Sequence, residues 1–169
     1  MSQSLLMNSV QSSKFLPLLL LSLLVAVSIP ATAADPKWLQ NKTDSSHDIT
    51  VYRSESCGCC KGWIDHLRQH NFVVNDVTVD DVSPYKKKYG VPEQGASCHT
   101  AVIDGKVIEG HVPAQDIKSL LASDSDIRLL TVPGMPSGGP GMDGEGARKD
   151  PFKVYAVSGE DKVSVYRQY

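Results

Sequence analysis

This chain has little excess charge of either sign: 17 Lys and Arg against 19 Asp and Glu leave a formal net charge of −2 over 169 residues. So balanced a surface gives no electrostatic argument for nucleic acid, and no nucleic-acid partner is expected. A bilayer-spanning run is also lacking. The longest apolar stretch, Phe15 to Val27, holds about 13 residues with Ser22 interrupting it, where a spanning helix needs about 20. There is no H-E-x-x-H zinc motif and no nucleophile–base pair in a supporting motif. The Gly-rich stretch after Pro133 lacks the Lys and the strand context of a phosphate loop. Hydrolysis and nucleotide chemistry are therefore unsupported. No internal repeat is visible.

What is present begins with a targeting pattern. Lys14 is the only charge before Asp35, Pro30 breaks the apolar run, and Ala31-Thr32-Ala33 supplies small residues for cleavage. This predicts a secretory signal peptide over 1–33, an uncleaved anchor being the alternative because Lys14 stands alone. Its removal takes away one positive charge, moves the net charge from −2 to −3 and leaves no membrane span. The remaining 34–169 are enough for one domain with its own core.

The four cysteines are the informative part: Cys57-Gly58-Cys59-Cys60, and Cys98 followed directly by His99. In an oxidising compartment, thiols this crowded need a reason to persist. Bridges between Cys59 and Cys60, or between Cys57 and Cys59, would be strained, which argues against a purely structural disulfide framework. Two uses fit better, soft-metal binding and dithiol exchange through Cys57 and Cys60. Thiolates are preferred Cu(I) donors, and the start of a helix favours the deprotonated thiol. On a helix, Cys57 and Cys60 share a face while Cys59 projects about 100° from Cys60. One mononuclear site therefore gathers all three poorly, whereas sulfurs bridging several ions use them all. Zn²⁺ also accepts thiolates and remains a candidate.

A coarse pass predicts a flexible leader over 34–48 and a strand at Ile49–Tyr52. A helix follows from Cys60, with Cys60, Trp63, Ile64 and Leu67 at i, i+3, i+4, i+7 and Asn71 at its left-handed end. Next come a strand over Phe72–Val79, a helix from Ser83-Pro84 to about Gly90, and a hairpin turning at Asp104-Gly105. A third helix opens at Pro113. The order β-α-β-α-β-β-α is an α/β sheet covered by helices, here assigned to 49–130. A Gly/Pro/Met-rich loop (131–149) and a C-terminal β-hairpin (150–169) complete the chain.

That order, with C-x-x-C at the first strand–helix junction and Tyr89-Gly90-Val91 leading to Cys98-His99-Thr100, resembles the thioredoxin fold. His99 replaces the usual cis-proline, and the resemblance implies that Cys98 faces Cys57, Cys59 and Cys60. A narrower likeness rests on four blocks in order: Cys57-Gly58-Cys59-Cys60-Lys61, Ser97-Cys98-His99-Thr100-Ala101, Glu109-Gly110-His111-Val112-Pro113-Ala114 and Val132-Pro133-Gly134-Met135-Pro136. They resemble the periplasmic copper-resistance family called CopG from about Val51 to Met142. The resemblance implies a periplasmic protein of copper homeostasis, with copper, as Cu(I), in a multinuclear cysteine-bridged site. It also implies a copper-handling or redox protein partner.

On this reading the metal ligands are Cys57, Cys59, Cys60 and Cys98, with His99 and Met135 auxiliary. A thiol-disulfide oxidoreductase is the rival reading. His111 and Met142 are reserves, His111 being read first as a structural turn residue. His66 and His70 have a zinc-pair spacing but read as solvated, Lys86-Lys87-Lys88 as an exposed face, and Trp63 as core.

Overall fold

A computed structural model describes residues 45–169. The signal peptide expected at 1–33 and most of the leader at 34–48 lie outside the described residues. No described helix is long and apolar enough to cross a membrane.

The element order is β1 (His47–Arg53), α1 (Gly58–Gln69), β2 (Phe72–Thr78), α2 (Ser83–Lys88), β3 (His99–Ile103), β4 (Lys106–Glu109), α3 (Ala114–Leu121), β5 (Ile127–Thr131), β6 (Lys153–Ser158) and β7 (Val163–Gln168). The seven strands form one sheet in the order β2-β1-β3-β4-β5-β6-β7. β1–β2 and β4–β5 pair in parallel, and the other neighbours are antiparallel.

The structure corrects the sequence reading in three places. β1 begins at His47, inside the expected leader. β5 was not foreseen, and the terminal hairpin is an extension of the sheet, since β6 pairs with β5. β5 escapes a search for alternation because its apolar residues face both ways: Leu130 joins one core cluster and Leu129 the other, and both are fully buried.

The larger cluster lies on the face shared by Val51, Ala101 and Ile108, under Trp63, Ile64 and Leu67 of α1 and Ile117 and Leu120 of α3. Each such buried side chain contributes about 1.5–3 kcal/mol. By register, Tyr52, Thr100, Glu109 and Thr131 line the opposite face. There Val107, Leu129 and Val157 pack with Tyr89 and Val91, from the end of α2 and the segment after it. Asn71 closes α1 at φ 64°, and Asp104 and Gly105, at φ 45° and 74°, make the tight turn between β3 and β4.

Candidate metal centre

The upstream sulfurs sit where β1 hands over to α1. Arg53, at the end of β1, forms a bidentate pair with Asp76 of β2 (2.8 and 2.6 Å), and its Nη1 donates to the carbonyls of Ser54 and Glu55. The loop leading to Cys57 is thus tied to the sheet. Cys57 is the N-cap of α1 in an extended conformation (φ −75°, ψ 92°) and is disulfide-bonded to Cys60, with Cα atoms 5.3 Å apart. Cys60 is fully buried and Cys57 only partly. Cys59 is a free thiol, its Sγ 3.6 Å from that of Cys57.

The downstream half comes from the ends of β3 and β4. Cys98, also free, immediately precedes β3, and its sulfur and those of Cys57, Cys59 and Cys60 all lie within 4.8 Å of one another. No described peptide bond is cis, so the bond between Cys98 and His99 is trans. Cys98 Sγ also lies 3.3 Å from His99 Nδ1 and 3.1 Å from His111 Nε2. Cys98, His99 and His111 thereby form a second donor group that shares a sulfur with the first.

The protonation pattern follows from the partners. His111 Nδ1 is 2.7 Å from the Pro140 carbonyl, which can only accept, so Nδ1 carries the proton and Nε2 turns its lone pair toward Cys98. Cys98 donates its S–H there, and burial, followed by the nearby Cys59, pushes its pKa up to about 12. Burial, then His111 and the Lys86 cation, hold His99 well below the ordinary imidazole range. His111 is lowered by burial, against the opposing pull of the Pro140 carbonyl and Asp143. Both imidazoles are neutral and buried, the form that ligates metal.

α1 fastens the turn that carries His111. Trp63 Nε1 donates to the Val112 carbonyl at 2.8 Å while its ring lies 4.3 Å from that of His99. His66 Nε2 accepts the Ala114 N–H at 3.0 Å, at the start of α3. His66 and His70 are buried (5% and 2% exposed), not solvated, their rings tilted against each other with centroids 4.5 Å apart, and neither belongs to the two donor groups. Within the Gly/Pro-rich segment, Gly141 (φ 80°) presses on α1 so closely that a Cβ would stand 2.4 Å from Trp63 N. Only glycine allows this approach, which also brings the Pro140 carbonyl to His111.

Met135 is 57% exposed, in a loop secured by the Ser97 hydroxyl donating to the Gly134 carbonyl and by Gly134 N–H donating to Ala96. His111, read first as a structural turn residue, lies within reach of Cys98 and His99 in a group that could hold a metal ion. The signal for it was its block Glu109-Gly110-His111, one hairpin away from Cys98-His99. A cavity of about 650 Å³ between Pro92, Pro133, Phe152 and Tyr155 is lined by none of these cysteines or histidines.

A mixed α/β domain that turns four sulfurs and two neutral imidazoles onto one corner is, by its donors, a candidate soft-metal protein. Two solved structures, each described as "Copper resistance protein copG", superpose with TM-scores of 0.70 and 0.69 at 43% and 44% identity. Both alignments take in 74% of this chain, with 99% and 98% of the respective structures. The chain belongs to the CopG copper-resistance family. A profile described as "Protein of unknown function, DUF411" matches residues 95–142, and no curated protein matches.

Proposed function

We propose that this protein binds copper as Cu(I) in a cysteine-bridged, multinuclear site and serves copper resistance in the periplasm. The observation that carries the reading is the convergence of Cys57, Cys59, Cys60 and Cys98 within 4.8 Å, beside His99 and His111. Four thiolates balance four monovalent ions, and imidazole completes coordination where a sulfur is shared. Met135 as an auxiliary ligand is supported by its loop being fastened to Ser97, next to Cys98. The order β2-β1-β3-β4, with α1 and α3 on one face and the α2 end on the other, supports a thioredoxin-like core extended by β5, β6 and β7.

The Cys57–Cys60 disulfide makes binding conditional on redox state. An external dithiol supplies two electrons and two protons, leaves as its own disulfide, and frees two further thiols. Cu(I) then displaces the thiol protons, which leave to solvent. An external disulfide that takes two electrons from the pair, leaving as its dithiol while Cys57 and Cys60 rejoin, removes two thiolate donors and releases metal. Anaerobic Cu(I) titration of both forms, followed by native mass spectrometry, tests the reading. Reduced protein is expected to retain more than one Cu(I) and the disulfide form fewer. Reduced protein that retains no copper overturns it.

The same disulfide favours a second reading. A partly exposed Cys57 and a buried Cys60 suit a dithiol oxidoreductase in which Cys57 is attacked first. Metal-independent reduction of a model disulfide, fully retained when Cys59 and Cys98 are both serine, favours that alternative.

A further inference from the structure

Glu109 is fully buried at the end of β4, on the side of the sheet away from the main core, and the metal reading gives it no part. Its carboxylate is nonetheless completely engaged. Oε1 accepts the Ser97 N–H at 2.6 Å and Lys86 Nζ at 2.5 Å, and Oε2 accepts the Thr100 hydroxyl at 2.7 Å. Lys86 Nζ also reaches Thr100 Oγ1 at 3.2 Å, so Lys86 is no part of a solvated face. Ser97 and Thr100 bracket Cys98 and His99. Two arms of one carboxylate therefore hold the chain on either side of the shared sulfur. From the same strand end, Gly110 N–H donates to the His99 carbonyl at 3.1 Å. Gly110, at φ 71°, packs against Ser97 so tightly that a Cβ would come within 2.6 Å of the Ser97 side chain.

A buried ion pair is a costly way to gain stability, since the desolvation of both charges offsets their attraction. Placement is a better account of this one. Cys98 has no covalent tether to the other sulfurs, and it adjoins a loop rather than a helix. A clamp that fixes its backbone holds the sulfur in place whether Cys57 and Cys60 are joined or apart.

We propose that Glu109, neutralised by Lys86, is a positioning residue that fixes Cys98 and His99 against the α1 cysteines and so sets the copper affinity of the centre without supplying a ligand. The inference rests on the copper reading above. Outer partners of metal ligands typically change affinity by about 10–100-fold when removed.

The test is Glu109→Gln, Lys86→Met, Lys86→Arg and the double variant Lys86→Met/Glu109→Leu, which removes both charges together and leaves no lone buried carboxylate. Cu(I) titration against a competing chelator separates capacity from affinity. Alkylation of Cys98 by iodoacetamide in the copper-free disulfide form reports placement with no metal present. Expected are unchanged capacity, an affinity about 10–100-fold lower in all but Lys86→Arg, and Cys98 alkylation about tenfold faster. The Cys57–Cys60 reduction potential stays at the wild-type value and Lys86→Arg restores both readouts. A folded double variant with wild-type alkylation and affinity overturns the clamp. Should the wild type bind no copper, the functional proposal fails by itself, while the alkylation rates still decide for or against the clamp.

Discussion

The start of α1 and the β3–β4 corner supply the two halves of one centre, and they are built on opposite principles. At α1, three sulfurs lie within four residues, so covalent spacing alone keeps them together. At the corner, Cys98, His99 and His111 are gathered from two strand ends by hydrogen bonds: Glu109 to Ser97 and Thr100, Trp63 to Val112, and Pro140 to His111. Local sequence holds the first half, and tertiary structure holds the second. Changes remote from the sulfurs should therefore disturb the corner and spare the helix start.

The largest effect is expected where one side chain serves both halves. Trp63 is fully buried in α1, packs its ring against that of His99 and holds Val112. Trp63→Ala is expected to cost about 3–5 kcal/mol, measured by denaturant unfolding of the disulfide form. A loss below about 1 kcal/mol would mean that the two halves fold independently of it.

Next in size is Cys98→Ser. Loss of a shared sulfur should lower Cu(I) affinity by more than the about 100-fold that loss of an outer partner brings. The Cys57–Cys60 potential should hardly move, because that pair is fixed by α1. Competition titration alongside redox equilibration against a dithiol buffer checks both halves. Equal shifts in both quantities would erase the distinction between them.

The same contrast explains what the sequence could disclose. Cys57, Cys59 and Cys60 announce themselves by adjacency, and α1 by the spacing of Cys60, Trp63, Ile64 and Leu67. Asp104-Gly105 marks its hairpin because few other pairs tolerate positive φ in succession. Cys98 could be brought to the trio only through the likeness to a known fold. His111 and Glu109 were harder still. Their block lies one hairpin away from Cys98-His99, yet what either side chain faces is fixed only when pairing of Thr100 with Glu109 sets the register. His66 and His70 misled because the helical pattern puts them off the apolar stripe, yet α3 packs there and Ala114 donates to His66. β5 was hidden by being apolar on both faces.

Gly141→Ala sharpens the comparison from a distance. The added methyl would stand 2.4 Å from Trp63 N, at a backbone angle (φ 80°) that alanine resists. Overpacking of this kind costs about 1–3 kcal/mol. The segment should lift from α1 and withdraw the Pro140 carbonyl from His111. Nitrogen NMR of His111 is then expected to show mixed tautomers in place of one fixed by Nδ1–H. Retention of a single tautomer would show that the segment does not set the donor.

Acid should also tell the halves apart, with the smallest effect. Burial lowers the folded-state pKa of both His99 and His111 beneath the usual 6.5. Between the folded and unfolded values the unfolded chain binds more protons. The stability that these two imidazoles contribute to the copper-free disulfide form is thus complete above pH 6.5 and declines as pH falls below it. Each imidazole contributes at most about 1.4 kcal/mol per pH unit. Replacing His111 with Gln should lessen this dependence and leave the part due to His99, since Gln keeps a donor for Pro140 but does not titrate. Cys59→Ser, on the α1 side, should leave the slope as it was. An acid slope undiminished by His111→Gln and lost with Cys59→Ser would place the pH-sensitive half at the helix start instead.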